Sequence, residues 1–135
     1  NSNYVFLIME LLGPTLYDIR VAMMQGYTSP HTIALIAHQT LYGIEALHEL
    51  GWLHRDIKPH NFAVALPPKE ETVILADFGL ARRFRAKDGT IRQPRKHPRW
   101  AGTVRYASAR GLKREAREEL SRRDDIESWC YMMLE

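Results

Sequence analysis

Cysteine is nearly missing from this 135-residue chain: Cys130 stands alone, so no internal disulfide can form. Stability must come from a packed core, and the length is enough for one domain with such a core. A lone thiol also points to a reducing compartment, so the cytoplasm, the nucleus or both are expected. No apolar run reaches the length of a membrane span, and no membrane association is expected. No repeat or low-complexity tract is present, and Asn1-Ser2-Asn3 leads into Tyr4–Met9 without the charged-then-apolar pattern of a secretion signal. Acidic residues are scarce in one place above all. Between Arg82 and Arg99, eight Lys and Arg face only Asp88, a local charge of +7 in a chain of net +3, which leaves −4 for the remainder. Such a field favours anionic partners, and a solvated loop is the plain alternative.

What is present reads as follows. Residues 4–10 are apolar, aromatic and β-branched, and predict a buried strand that Gly13-Pro14 breaks. Thr15 caps a short helix with Leu16, Ile19 and Met23 on one face, ending at Gly26. Ser29-Pro30 opens the clearest helix, whose apolar positions Ile33, Ile36, Ala37, Leu41, Ile44 and Leu47 keep helical spacing until Gly51. His38 and His48 on this helix read as packing or surface residues, since no ligand spacing accompanies them. Trp52-Leu53, Phe62–Ala65 and Val73–Ala76 predict short strands, the last two forming a hairpin through the polar turn Pro67–Glu71. A long irregular segment follows from Asp77 to about Tyr106, a length that usually carries function. Asp124-Asp125 then open an apolar helix running to Glu135. Both ends read as the interior of something larger, so the expectation is part of a bigger domain.

Chemistry concentrates in His54-Arg55-Asp56-Ile57-Lys58-Pro59-His60-Asn61 and, sixteen residues beyond that Asn, Asp77-Phe78-Gly79. The hairpin between the two segments can bring Asn61 close to Asp77. Phosphoryl transfer passes through a loose, highly charged transition state that a protein must position and neutralise. Asp56 can accept or orient the proton of an attacking hydroxyl, and Lys58 can neutralise the transferred phosphate. Asn61 and Asp77 offer hard oxygens of the kind Mg²⁺ takes. Gly79 permits the turn that aims Asp77, with Phe78 packed beneath it. His54 reads as a structural hydrogen-bonder, and Arg55 as a permanent charge able to hold the following loop through an anion. Each residue alone is unremarkable in a soluble protein; the combination is specific.

With these residues the chain resembles a eukaryotic protein kinase, and several segments resemble the casein kinase I superfamily. Met9-Glu10-Leu11-Leu12-Gly13-Pro14-Thr15-Leu16 is similar to that family's hinge. Gly102-Thr103-Val104-Arg105-Tyr106-Ala107-Ser108 is similar to its replacement for Ala-Pro-Glu, and Ser121–Ser128 to the start of its large C-lobe helix. Asn61-Phe62-Ala63, with Pro94-Arg95 leading to Gly102–Tyr106, looks most like the tau-tubulin kinase branch. The resemblance covers residues 1–135 as one partial kinase domain: an α+β fold with a hinge strand and a mainly helical C-lobe, truncated at both ends. It implies that Met9 backs the adenine, that the Glu10 and Leu12 backbones bind its edge, that Asp18 lies near the ribose and that Ala63 forms a shallow floor. It further implies Asp56 as catalytic base, Lys58 at the phosphate, Thr103 bonded to both, and Asn61 and Asp77 as metal ligands. Arg55 and Arg105 would share an anion site beside the activation segment, and Asp125 would anchor the catalytic loop.

The implied activity is ATP- and Mg²⁺-dependent phosphorylation of protein serine and threonine, with acidic or pre-phosphorylated substrates suggested by the basic stretch. No Gly-rich phosphate loop, strand lysine or pairing helix glutamate accompanies the hinge, so this stretch alone is expected to be a poor catalyst or inactive. The competing reading is a pseudokinase acting as a scaffold, against which the retained Asp56, Lys58, Asn61 and Asp77 argue. Nucleic-acid binding is not expected, because the basic stretch lacks interleaved aromatics for base stacking. Cys130, where the family often has glycine, reads as a buried packing residue.

Overall fold

The structure, a computed structural model, describes residues 4, 6–23, 28–113 and 118–135. These form an α+β arrangement of three helices and two small antiparallel sheets. Helix α1 (Leu16–Ala22) starts at a capping box in which the Thr15 hydroxyl accepts from the Asp18 N–H and the Asp18 carboxylate accepts from the Thr15 N–H. The expected stop at Gly26 lies outside the described residues. Helix α2 (Pro30–Glu49) begins at Ser29 with Pro at its first turn, and Gly51 follows its end at φ 83°, the left-handed value that glycine takes without strain.

Strand β1 (Trp52–Leu53) leads into the catalytic-type loop, and strands β2 (Phe62–Val64) and β3 (Val73–Leu75) form the expected hairpin. Strand β4 (Arg82–Arg83), within the long segment after Asp77, pairs antiparallel with β1 and was not foreseen. Helix α3 (Arg122–Met133) closes the chain behind a Ser121–Asp124 capping box. The core is Ile44, Ile57, Phe62, Tyr106 and Met132, with Leu75, Ile126 and Trp129 packed against it. It therefore lies between α2, α3 and the loop that follows β1. No helix among the described residues is long and apolar enough to cross a membrane.

Two polar clasps hold the helices to this frame. The Thr40 hydroxyl, fully buried on α2, donates to Ile36 O at 2.7 Å and accepts from Trp129 Nε1 of α3 at 2.9 Å, so the helix–helix contact leaves neither group unpaired. Gln39, also on α2, donates from Nε2 to Glu71 O and accepts at Oε1 from Val73 N–H, both at 2.8 Å. Its side-chain amide thus meets the hairpin as a neighbouring peptide group would.

Two expectations fail. Residues 4–10 do not form a buried strand: the described ones run as coil, with Phe6 80% and Ile8 85% exposed. A strand needs a partner for its N–H and C=O groups, and no described segment lies beside this one until Gly13, whose N–H donates to Val64 O at 2.8 Å. Cys130 is exposed rather than packed, because α3 turns its other face to the core.

Candidate active site

The loop from His54 to Asn61 is held from behind. Asp125, 2% exposed at the start of α3, accepts from the backbone N–H of His54 at 2.9 Å and of Arg55 at 2.8 Å, and contacts His48 Nε2 at 2.8 Å. One buried carboxylate thereby fixes two successive peptides. Arg55 itself takes a left-handed conformation, φ 71°, which costs a non-glycine residue about 1–2 kcal/mol and needs such anchoring. Across from it, Gly102 has φ 117°, and a Cβ there would meet Arg55 O at 2.7 Å. Only glycine lets the segment carrying Thr103 approach this loop so closely.

That approach assembles a closed triangle. The Lys58 ammonium lies 2.7 Å from Asp56 Oδ2 and donates to the Thr103 hydroxyl at 3.0 Å, while that hydroxyl donates to Asp56 Oδ1 at 2.7 Å. Asn61 Nδ2 donates to Asp56 O at 2.8 Å and closes the loop on itself. Burial alone would raise the Asp56 carboxyl, but the hydrogen bonds from Lys58 and Thr103 and the Lys58 charge outweigh it and hold it below its usual value. Asp56 is therefore a carboxylate at neutral pH, able to accept a proton or a hydroxyl's hydrogen bond.

The hairpin delivers the remaining two oxygens. Its register pairs Phe62 with Leu75, and Ala76 N–H then donates to Asn61 O at 2.8 Å. On its other side Ala76 O contacts His54 Nε2 at 3.0 Å, while the Asp56 N–H donates to His54 Nδ1 at 3.3 Å. The second bond leaves Nδ1 as acceptor, so the ring is held in its Nε2–H tautomer. The Ala76 peptide is thus gripped from both flanks, which sets Asp77 beside Asn61 at the open end of the hairpin. Ala76 carries no motif signal, and only the register shows its part.

Asp77 departs from expectation in one respect. The left-handed residue is Asp77 itself, φ 58°, and not Gly79, whose N–H instead donates to Asp77 Oδ1 at 3.2 Å. A Cβ on Gly79 would stand 3.1 Å from that oxygen, a tight contact that the carboxylate would have to yield to by a few tenths of an ångström. Phe78 is half exposed and tilts against the His54 ring at 5.5 Å, rather than lying buried beneath Asp77.

Other predicted residues separate. Met9, Glu10 and Leu12 lie on the coil segment, with Met9 57% exposed. The end of that segment does reach the site: Val64 N–H donates to Pro14 O at 3.0 Å, and Thr15 bridges to the buried Ala63, which brings Asp18 to this side of the molecule. Arg105 does not join Arg55. It is 70% exposed and paired with Glu135 at 2.6 Å, because the turn Val104–Tyr106 packs on α3. Burial first, then the neighbouring charges of Arg95 and Arg82, push the Arg55 guanidinium below its usual value, against the opposing charges of Glu119 and Asp125.

Sequence reading also missed the partners of the acids around the start of α3. Asp124 accepts from the Ser108 hydroxyl at 2.7 Å, from Arg110 at 2.6 Å and from Ser121 N–H at 2.7 Å. Glu119 accepts from Arg95 Nε at 2.7 Å and Nη2 at 2.8 Å and lies 3.2 Å from Arg82 Nε. The available signal was the run of alternating acids and bases from Arg110 to Asp125.

This loop arrangement, with Asp56, Lys58, Thr103 and Asn61 joined as described, is that of the protein kinase fold. The comparisons agree: residues 1–135 match the Protein kinase domain family. The chain is 38% identical over 130 residues to a Caenorhabditis elegans protein assigned as serine/threonine-protein kinase ZK507.1, covering 96% of this chain and 38% of that one. Serine/threonine-protein kinase spe-6, also of Caenorhabditis elegans, is 39% identical over 98% of this chain and 34% of its own length. Casein kinase I homolog 3 of Schizosaccharomyces pombe is 39% identical over 97% of this chain and 30% of its own. The chain belongs to the protein kinase domain family. It spans between 30% and 38% of the length of these curated relatives.

Kinases of this family use ATP with Mg²⁺. The donor set fits that ion: a side-chain amide oxygen and a carboxylate from adjacent ends of one hairpin, with phosphate oxygens and water left to fill an octahedral shell. Among the described residues, no group of three or more His, Cys, Asp or Glu is placed to hold a metal ion.

Proposed function

We propose that this chain carries the catalytic loop and activation segment of an ATP-dependent protein serine/threonine kinase, and that it works within a longer protein. The observation that supports this most directly is the Asp56–Lys58–Thr103 triangle joined to Asn61. Asp56 accepts the hydrogen bond of the substrate hydroxyl and takes its proton as the oxygen–phosphorus bond forms and the bond from the γ-phosphorus to its bridging oxygen breaks, ADP leaving with that electron pair. Lys58 moves from partner of Asp56 to counter-charge for the transferred phosphoryl group. Thr103 keeps the two in register, and its position ties their geometry to the segment that meets substrate. Asn61 and Asp77 would hold Mg²⁺, which supplies charge neutralisation for the nucleotide phosphates. Asp18, near Ala63, is the proposed ribose-side residue, and the Glu10 and Leu12 backbones the proposed adenine edge once a neighbouring strand orders them.

Protein substrates rich in acids or phosphoserine are favoured by the +7 stretch from Arg82 to Arg99. Reversing Lys96 and Arg99 in the full-length protein is expected to lower the preference for acidic over neutral peptides, and an unchanged preference would remove this part of the proposal.

The decisive experiment is Asp56→Asn in the full-length protein. Phosphate transfer should fall by about 10²–10⁴-fold while ATP binding and melting temperature stay near wild type. Turnover that persists would discard Asp56 as base. A wild-type protein that binds ATP and Mg²⁺ without transferring phosphate would instead be a scaffold that keeps the fold.

A further inference from the structure

Tyr17 and His60 meet face to face. Their rings stack with centroids 3.9 Å apart and planes 18° from parallel. Tyr17 lies in the first turn of α1, and His60 on the turn Pro59–Asn61 against which α1 packs. Arg20, three residues on and so on the same helical face, places its guanidinium 5.4 Å from the centre of the Tyr17 ring and pairs with Glu135 just past α3.

Helix α1 depends on such contacts. None of its seven residues is buried, and of these only Leu16 packs against the core cluster. A helix this short is not stable by itself. Its seat draws on the bridge from Thr15 to Ala63, the Leu16 contact, the Arg20–Glu135 pair and the ring stack.

Each stacked ring is the sequence neighbour of a residue that the proposed function gives to the nucleotide: Asp18 follows Tyr17, and Asn61 follows His60. Asp18 Oδ2 is committed to Thr15, accepting from its N–H at 2.9 Å and its hydroxyl at 2.6 Å. Oδ1 takes no hydrogen bond among the described residues and is left for a ligand. The Thr15 bonds hold the Asp18 carboxyl below its usual value, and the nearby His60 adds to the lowering. Asn61 is held separately, by Asp56 O and the Ala76 N–H. A nucleoside triphosphate carries hydroxyls on its sugar and its metal on its phosphates. The span between the two residues must therefore suit the ligand, and the stack is the contact that joins their elements.

Resting on the kinase reading above, we propose that the Tyr17–His60 stack is a spacer that sets Asp18 against Asn61, which makes His60 a positioning residue for the ribose end of the nucleotide. His60 does no chemistry itself; it acts by seating α1.

The test compares ATP with dideoxy-ATP, which lacks both sugar hydroxyls, each with Mg²⁺ and the full-length protein in a calorimeter. His60→Ala is expected to weaken ATP binding about three- to tenfold, the worth of a lost aromatic pair. Dideoxy-ATP should bind both proteins equally, since it offers Asp18 no hydroxyl. His60→Phe keeps a flat ring and should bind ATP as the wild type does. Tyr17→Ala should match His60→Ala, and the double variant should be no weaker than either single one. In turnover the loss should fall on KM for ATP, with kcat held. A second measurement needs no ligand: amide hydrogen exchange across Leu16–Ala22 should speed up in His60→Ala and not in His60→Phe.

Equal losses for the two nucleotides, a His60→Phe variant as weak as His60→Ala, or losses that add in the double variant would each overturn the proposal. Unchanged exchange of α1 in His60→Ala would do so whether or not the protein transfers phosphate. A wild type that binds ATP without turnover would end the kinase reading and leave these comparisons intact, whereas one that binds no ATP would overturn both.

Discussion

The Asp125 carboxylate and the Arg55 backbone amide are joined by a 2.8 Å hydrogen bond across 70 residues of sequence. That bond, with its twin to His54, decides whether the loop before Asp56 can hold a left-handed residue at all. Asp125→Ala is expected to destabilise the fold by about 2–4 kcal/mol, since two buried N–H groups lose a charged acceptor and His48 loses its partner. Urea denaturation measures it; an unchanged midpoint would show that the loop is held by packing alone.

Thr103 is a positioning residue by its geometry, bonded to both Asp56 and Lys58. Thr103→Val keeps the shape and removes the hydroxyl. Phosphate transfer by the full-length protein is expected to drop about ten- to a hundredfold in kcat, with KM for ATP little changed, while Thr103→Ser retains most activity. Equal losses in the two variants would assign the residue to packing.

Gly102→Ala combines an unfavourable φ with a 2.7 Å clash on Arg55 O. Both effects push the Thr103 segment away from the loop. A loss of about 2–4 kcal/mol in stability is expected from the strain and displacement together, read by thermal melting. A neutral substitution would mean that the two segments separate easily.

Acid should unfold the protein through a short list of groups. Asp56, Asp124 and Glu119 all have carboxyls held below their ordinary values of 3.8, 3.8 and 4.5. For Asp124 burial works the other way, and the Arg110 and Ser108 bonds outweigh it. Groups lowered in the folded state contribute stability that is complete above the unfolded value and lost as pH falls through the folded one. Urea midpoints should therefore be flat from about pH 7 to about pH 5 and fall steeply below about pH 4. Glu119→Gln should shallow that fall; an identical acid limb would show that Glu119 does not contribute.

Phe62 is wholly buried between the residue that closes the catalytic loop and the hairpin that delivers Asp77. Phe62→Ala should cost about 3–5 kcal/mol, and Phe62→Leu clearly less. Guanidinium denaturation of the two variants separates volume loss from any effect on Asn61.

What could be read from the chain alone follows a physical line. Helix α2 was legible almost to the residue, because Ser29, Pro30 and Gly51 act on their own neighbours. The hairpin and the Asp56–Lys58–Asn61 set were legible for the same reason: spacing and turn residues are local. Strand β4 was not, since Arg82-Arg83 becomes a strand only by pairing with Trp52-Leu53. The apolar segment 4–10 misled in the opposite direction, having the composition of a strand and no neighbour to bond among the described residues. Left-handed Arg55 and Asp77 could not be seen in a sequence either, as their conformations are imposed by Asp125, the Gly102 approach and the Ala76 peptide. Arg105 was assigned by motif to the Arg55 cluster, and the packing of its turn on α3 gave it Glu135 instead.

The Gln39 amide, wedged against Glu71 and Val73, acts as a surrogate strand. It ends the hairpin's need for a third ribbon and divides the hairpin into two regimes. Beyond the clasp, the exposed Pro67–Glu70 tip is expected to tolerate changes in length or composition. Inside it, a shift of one residue would turn Asn61 and Asp77 to opposite faces, so evolution can tinker at one end only.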